Sequence, residues 1–281
     1  MIITGHNSKK ELHDFLYKNS RKLIRQKKAT LKEADGVGLF AISNNSIDIS
    51  DENKPVDKGL LIPKPLNDPD DVINATLIIN TTNIIDSHKD LHLPNLWKKS
   101  LQESSDLIQH LQEHKRDFSK VIAEDSDLKV FTKYFNWSEL GQSYPGKTQA
   151  LVFDSKIKKE RNEFMWRQYA KGYVKNHSVG MQYVTLMMAI DNKNYPENYE
   201  IFKKYIDKAV NPEVIGEDGY FWVVPEAKVI EGSAVTRGSN FVTPTMNMKS
   251  EPGDAHSESD IDEPGESHSL SKQFLINLLT K

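Results

Sequence analysis

The spacing of apolar residues predicts helices along much of the chain. In residues 8–34, lysines and arginines surround an apolar stripe at helical spacing, which consists of Leu12, Phe15, Leu16, Leu23 and Ile24. The basic face indicates either a solvated surface or a dock for an acidic partner. Residues 155–176 predict the strongest helix, with Gly172 near its end, and residues 195–210 predict another.

Runs of β-branched and alternating apolar residues predict strands between these helices. The clearest run covers residues 72–84. Residues 96–115 predict a helix that ends in a strand near residues 106–111. Further strands are predicted over residues 36–42, 128–137, 148–154, 178–190 and 219–235. The chain is therefore expected to be mainly β, of the α+β class.

Composition divides the chain into three parts. Residues 44–70 are rich in Asn, Asp, Pro and Ser, which indicates a linker. The segment from residue 246 is acidic and rich in Ser, Gly and Pro, which predicts a disordered tail, although it ends in an apolar peptide over residues 272–281. The predicted parts are a helical N-terminal extension (1–70), a main domain (71–245) and the tail (246–281).

Charge and composition narrow the possible functions. The chain has 281 residues, a net charge of -3 and no cysteine. Cysteine nucleophiles, disulfides and cysteine-ligated zinc are therefore excluded, and a basic nucleic-acid footprint over the whole chain is not expected. The sequence shows no apolar stretch of bilayer-spanning length and no apolar signal-peptide core. These features predict a soluble intracellular protein with no membrane partner and no specific nucleic-acid partner.

Three short segments carry residues that are suited to hydrolysis. Ser178 opens a predicted strand two residues before Gly180, whose missing side chain allows another backbone to approach closely. Glu231 follows an apolar run, so its carboxylate needs a partner, which could be a catalytic histidine, a lysine or Arg237. A serine nucleophile, a histidine base and a carboxylate that orients the base are the parts of a serine hydrolase.

The base can be chosen from several histidines. His177 is adjacent to Ser178, and on a strand the two side chains would point to opposite faces, which makes His177 a poor partner. His110 and His114 are four residues apart and would share one face of a helix. Both remain candidates on spacing alone.

A second chemistry is suggested by the loop at residues 86–92. It offers four possible metal ligands at alternating positions, namely Asp86, His88, Asp90 and His92. The pair His110 and His114 would add two more. A metal-dependent hydrolase is thus an alternative, although the sequence contains no HExxH motif. A third alternative is a non-catalytic assembly or scaffold protein, which the basic helix and the acidic tail would suit.

Taken together, the segments resemble the prohead (capsid maturation) serine proteases of tailed phages, which share the herpesvirus assemblin-type fold. The resemblance covers residues 73–245. It rests on "LIINTTNIIDSHKDLHLPNLWKKSL" with Asp86 and Asp90, on "LIQHLQEHKRD", on "AKGYVKNHSVGMQYV" and on "KVIEGSAVT", which carries Glu231 and Ser233. The loop lacks the family's usual glycine, and "TRGSN" stands where a proline-alanine pair is common.

The resemblance implies a fold and a function. The fold would be a small, closed or nearly closed β-barrel with helices around it, outside which the N-terminal helix and the tail would lie. His114 would be the base, Ser178 the nucleophile and Glu231 the orienting acid, without a cofactor or metal, and with oxyanion donors near Val179–Gly180 or at Arg237. The protein would be a homo-oligomeric endopeptidase inside the procapsid, in the host cytoplasm, which cuts the major capsid protein or its scaffold segment and possibly itself.

Overall fold

The structure, a computed structural model, describes residues 3, 5–31, 61, 63–67 and 69–251. Within these residues it contains four α-helices and nine β-strands. The helices are α1 (Lys9–Ala29), α2 (Lys98–Ser104), α3 (Glu163–Ala170) and α4 (Pro196–Tyr205). The strands are β1 (Val72–Thr81), β2 (Asp90–His92), β3 (Gln109–Gln112), β4 (Val121–Ala123), β5 (Leu128–Asn136), β6 (Lys147–Lys158), β7 (Asn176–Ile190), β8 (Tyr220–Val235) and β9 (Thr245–Glu251).

The strands form two sheets, and the fold is mixed α and β. One sheet has the order β5-β6-β1-β9, and the other has the order β2-β8-β3-β4 with β7 paired to β8. Strand β8 is long enough to receive two short parallel strands in succession, β2 on its first half and β3 on its second, while β7 runs antiparallel to it. The expected closed barrel is wrong for the described residues, because their strands pair as two separate sheets.

Apolar residues from both sheets meet in the main core. Alternate residues of β1 and β6, such as Leu77 and Phe153, contact the same cluster as Met181 of β7 and Trp222 of β8. Gly232 of β8 permits this close packing, because a Cβ there would lie 2.5 Å from the ring of Phe153. The main core therefore packs against β8 along its length, from Tyr220 to Ala234.

Helix α1 confirms the predicted N-terminal helix and corrects its predicted position. Ser8 caps the helix by accepting a hydrogen bond from the backbone nitrogen of Glu11 at 3.2 Å. Its apolar stripe belongs to the main core, where Leu16 is completely buried. The helix is thus part of the domain and does not lie outside its core.

Two other boundaries differ from the prediction. The helix expected over 155–176 is confined to α3, because Ile157 is buried as part of the alternating pattern of β6 and Asn162 then caps the helix. The sheet that contains β1 also extends beyond the predicted start of the tail at residue 246, since β9 pairs with β1 up to Glu251.

The predicted strand over 36–42, most of the predicted linker over 44–70 and the rest of the tail lie outside the described residues. Of the helices described, none has the length and apolar character needed to cross a bilayer.

Candidate functional site

The candidate nucleophile and acid lie on one face of the β7–β8 pair. Ser178 is directly opposite Ser233 in the antiparallel register, and Gly180 is opposite Glu231. Opposed residues of an antiparallel pair project to the same face, with Cβ atoms about 5 Å apart. Ser178, Glu231 and Ser233 therefore share one face of the sheet, whereas His177 projects to the other, as expected from its position next to Ser178.

His114 reaches this face from the turn after β3. Strand β3 runs parallel to β8, with Gln109 opposite Glu231 and Gln112 opposite Ala234. The turn that follows β3 therefore lies close to Ser233. Glu113 and His114 both have positive φ, of 51° and 58°, which is uncommon for residues with side chains. In this conformation, Nδ1 of His114 lies 2.6 Å from Oε1 of Glu231. The predicted base and acid are thus in direct contact, although 117 residues separate them in sequence.

Ser233 braces both members of this pair. Its Oγ accepts a hydrogen bond from the backbone nitrogen of His114 at 3.1 Å and donates one to Oε2 of Glu231 at 2.6 Å. Ser233 was singled out in the sequence only as a member of the segment that carries Glu231. Its role could have been inferred from its spacing, because residues two apart on a strand share a face.

Gly180 makes room for the carboxylate. A Cβ at this position would overlap the side chain of Glu231, with Oε1 as its nearest atom. Gly180 was predicted to let another backbone approach closely, but the group that approaches it is the side chain of Glu231. Because position 180 has no side chain, the carboxylate of Glu231 can lie over β7, where it contacts His114.

Ser178 lies beside the pair with its hydroxyl uncommitted to any other described side chain. It is 5% exposed, and no hydrogen bond joins its Oγ to another described residue. Ser233, the other serine on this face, already uses its hydroxyl as donor and as acceptor. The hydrogen bond from a nucleophile to its base is often absent before substrate binds. Of the two serines, Ser178 is therefore the one suited to be the nucleophile.

The two predicted sources of oxyanion donors lie in different parts of the fold, one within β7 and the other after β8. Val179 and Gly180 continue β7 directly after Ser178. Arg237 lies exposed in the loop after β8, four residues beyond Ser233. The assignment of either as the oxyanion donor remains a prediction.

His110 has a different environment from His114, because it lies within β3 and faces the core. Its Nδ1 is 2.9 Å from Oγ of Ser155 and its Nε2 is 3.1 Å from the hydroxyl of Tyr169. That hydroxyl is also 3.1 Å from Nε2 of His177, whose Nδ1 is 3.0 Å from the carbonyl oxygen of Thr243. The structure therefore places His114, and not His110, next to Glu231.

The carbonyl of Thr243 fixes the direction of this buried chain of hydrogen bonds. A carbonyl only accepts, so Nδ1 of His177 donates to it, and Nε2 of the neutral ring accepts from the hydroxyl of Tyr169. The oxygen of Tyr169 then accepts from Nε2 of His110, whose Nδ1 accepts from Ser155. Both imidazoles are neutral in this arrangement. Burial lowers the pKa of His110 well below its usual value, with a smaller contribution from His177, and lowers the pKa of His177 to about 4.

Stability is therefore expected to fall on acidification. In the unfolded chain His177 has a pKa of about 6.5, so the unfolded state binds more protons below this pH. The contribution of His177 is complete above pH 6.5 and is lost as the pH falls towards 4. Urea unfolding at pH 7.5 and pH 5 should show a loss of about 2 kcal/mol from this residue alone. The variant His177→Asn should show a correspondingly smaller difference between the two pH values, and an unchanged difference would contradict the assignment.

The alternative metal site forms a compact cluster. One ligand atom from each of Asp86, His88 and Asp90 lies within 4.8 Å of the others. His92, His110 and His114 do not belong to this cluster. Oδ1 of Asp86 accepts hydrogen bonds from the backbone nitrogens of His88 and Asp90, at 2.8 and 3.0 Å, so the turn itself brings these residues together.

A lysine ammonium already lies beside Asp90. Nζ of Lys27, from α1, is 2.7 Å from Oδ1 of Asp90, and their side chains are 6% and 0% exposed. The hydroxyl of Tyr183 donates to Oδ2 of Asp90 at 2.6 Å. A second cation at this position would be repelled by the ammonium, so the contact disfavours a metal ion here. Lys27 was predicted to belong to the solvated or partner-binding face of α1, and that prediction is wrong for this residue.

Comparison of the chain with protein-family models, with curated proteins and with solved structures finds no match.

Proposed function

We propose that the protein is a serine endopeptidase in which Ser178 is the nucleophile, His114 the general base and Glu231 the residue that orients it. The contact of 2.6 Å between Nδ1 of His114 and Oε1 of Glu231, on the sheet face that carries Ser178, is the observation that supports this proposal most directly. Three distant segments supply these residues, and Gly180 and Ser233 shape their surroundings.

The geometry defines the role of each group. A carboxylate at Glu231 accepts the Nδ1 proton of His114, so that Nε2 carries the lone pair that takes a proton. Nε2 would accept the hydroxyl proton of Ser178 as its oxygen attacks a peptide carbonyl. It would then return that proton to the departing amine as the acyl-enzyme forms. Water, activated by the same nitrogen, would attack the ester and regenerate the serine.

The motif resemblance supports a more specific setting for this activity. The segments with Asp86, His114, Ser178 and Glu231 occur in the same order as in the phage prohead proteases. The proposed substrates are accordingly the major capsid protein or its scaffold segment, and possibly the chain itself. The proposed site of action is the procapsid in the host cytoplasm, with the protease as a homo-oligomer and without a cofactor.

A fluorophosphonate reagent tests the nucleophile without knowledge of the substrate. We expect wild-type protein to gain the mass of one adduct, and peptide mapping should place it on Ser178. Ser178→Ala should gain none, whereas Ser138→Ala, which changes an exposed serine outside the site, should react like wild type. Intact mass over time in the same samples would reveal self-cleavage.

An adduct on Ser233 would contradict the assignment of the nucleophile. Absence of any adduct from folded wild-type protein would reject the protease and favour a non-catalytic assembly protein. Cleavage by Ser178→Ala that a chelator abolishes would instead favour the metal-dependent alternative at Asp86, His88 and Asp90.

A further inference from the structure

A groove lies between α3 and the end of β8, away from the sheet face that carries Ser178. Its volume is about 160 Å³. Most of its lining is apolar and consists of Phe164, Met165, Tyr173, Val174, Ala234 and Val235. A cavity of about 150 Å³ with apolar walls holds a benzene-sized ligand. The groove can therefore accept one large apolar side chain.

The outer wall of the groove exposes two aromatic rings on a well-supported segment. Phe164 is 59% exposed and Tyr173 is 67% exposed. Asn162, which caps α3, donates from its side chain to the carbonyl oxygens of Ser119 and Val121, at 3.3 and 3.4 Å. Exposed aromatic rings beside a preformed groove indicate a binding surface.

The chain itself contains an apolar segment of suitable size, at residues 273–279. This apolar segment carries no charge, and its large apolar side chains are Phe274, Leu275, Ile276, Leu278 and Leu279. In a helix, four of the five would share one face, with Ile276 outside it, and an apolar helix face is a common occupant of apolar grooves. Lysines flank the segment at 272 and 281, and the lining of the groove carries the carboxylate of Glu113.

The distance that the chain must cover is set by β9. Oγ1 of Thr245, the first residue of β9, donates to the carbonyl oxygen of Val174 at 2.9 Å, so this strand begins at the groove. Strand β9 has seven residues and ends at Glu251. At about 3.4 Å per residue, its last residue lies about 20 Å from the groove.

The connection from Glu251 to the apolar segment has a matching length. Residues 252–272 are mainly Ser, Gly, Pro and acidic residues, a composition that predicts a flexible linker. About 20 residues of flexible linker have a root-mean-square end-to-end distance of about 25 Å. The effective concentration of a tethered segment is highest when this length matches the span, and it reaches the millimolar range. The tethered segment is therefore favoured over the same segment of a second copy.

We propose that this groove, the α3 groove, binds the apolar segment of the same chain. One apolar side chain enters the groove, and its neighbours cover the exposed rings of Phe164 and Tyr173. The inference does not rest on the proposed protease function, and it gives residues 252–272 the role of a tether.

A photoreactive side chain tests this contact in the full chain. p-Benzoylphenylalanine in place of Phe274 keeps an aromatic ring in the segment and, under near-ultraviolet light, forms bonds to neighbouring C–H groups. We expect a cross-linked species of monomer size, in which peptide mapping places the bond on Met165, Tyr173 or Val174. The same group in place of Ser267, within the tether, should give few cross-links to the groove. Intact mass verifies that the chain is whole before irradiation.

Variants of the outer wall should weaken the contact. We expect Phe164→Ala/Tyr173→Ala to lower the yield of cross-links to Met165 and Val174 at least about 5-fold, because a few large side chains supply most of the energy of such a contact. The control Tyr134→Ala removes a similarly exposed ring, 52% exposed, from β5 in the other sheet, and should keep the wild-type yield.

Variants of the apolar segment provide the matching test from the other side. We expect Leu275→Asp/Leu278→Asp to lower the same yield at least about 5-fold, because docking would bury the new carboxylates against apolar side chains. The control Asn277→Asp adds a charge beside the apolar face and removes no apolar side chain, so it should keep the wild-type yield.

Four results would overturn the proposal. These are cross-links from position 274 to other surfaces, absence of cross-links from the folded and intact chain, and a yield that Phe164→Ala/Tyr173→Ala leaves unchanged. The fourth is a cross-linked species of dimer size, which would assign the groove to a second copy. The fluorophosphonate reaction of Ser178 is measured separately, so failure of either proposal leaves the other standing.

Discussion

Replacement of Glu231 by glutamine is expected to reduce the reactivity of Ser178 by about 10³- to 10⁴-fold without unfolding the protein. The two side chains have the same shape, so packing against Gly180 is preserved. The difference is in the hydrogen bonds. Ser233 accepts from the backbone of His114 and must donate its own hydroxyl proton, which requires an acceptor at position 231.

The glutamine amide would reverse the tautomer of His114. Its oxygen would accept from Ser233, so its NH₂ group would face Nδ1 of His114 and donate to it. The imidazole proton would then reside on Nε2, the nitrogen that must accept a proton from Ser178. The base would be correctly placed but in the wrong tautomer. A large loss of rate is therefore expected at a small cost in stability.

The rate of fluorophosphonate labelling, with far-UV circular dichroism and urea unfolding as folding checks, measures this effect. Glu226→Gln provides the matched control, since Glu226 lies on the same strand and contacts Thr185 at a distance from the site. The control should label within about 2-fold of wild type. A Glu231→Gln protein that labels within a few-fold of wild type would show that Glu231 does not set the tautomer of the base.

Lys27→Met is expected to lower the free energy of unfolding by about 3–5 kcal/mol. Asp90 is completely buried, and Lys27 is its cationic partner at 2.7 Å. Nζ of Lys27 also lies 5.2 Å from the centre of the Trp222 ring and 5.9 Å from that of Tyr183. Methionine would fill similar space but would remove the ammonium that lies 2.7 Å from this buried carboxylate.

Urea unfolding of Lys27→Met and of Lys22→Met, a change at an exposed residue of the same helix, would measure this cost. The control should remain within about 0.5 kcal/mol of wild type. Adding Asp90→Asn to Lys27→Met should recover part of the loss, because the buried negative charge that faced the ammonium is then removed as well. A loss below 1 kcal/mol for Lys27→Met would mean that the ion pair contributes little to the attachment of α1.

Local sequence patterns predicted most helices and strands but not how the strands pair into sheets. The stripe of α1 and the alternation of β1, β7 and β8 are properties of neighbouring residues, and these elements form where expected. Residues 155–158 were misassigned because a short charged segment with one buried isoleucine fits both a helix and a strand end. The arrangement of strands as two sheets depends on pairing between distant segments, which periodicity does not encode.

The sequence pointed to the residues of the candidate site but not to their geometry. Spacing alone did not separate His110 from His114, because the choice depends on where β3 ends and the left-handed turn begins. The contribution of Ser233 depends on the register of β7 against β8. Lys27 could have been singled out, since it follows Leu23 by one helical turn on the apolar stripe, but only its acidic partner on β2 explains why a lysine is buried there.

The position of α1 has a consequence for chain processing. The helix contributes Leu12, Leu16 and Leu23 to the same core as β7 and β8. Its Lys27 also forms an ion pair with the buried carboxylate of Asp90. A proteolytic cut between α1 and β1 would therefore not liberate the helix. It would convert the chain into a two-piece molecule in which the N-terminal fragment stays bound as a non-covalent subunit, and the protein would be nicked without losing a part.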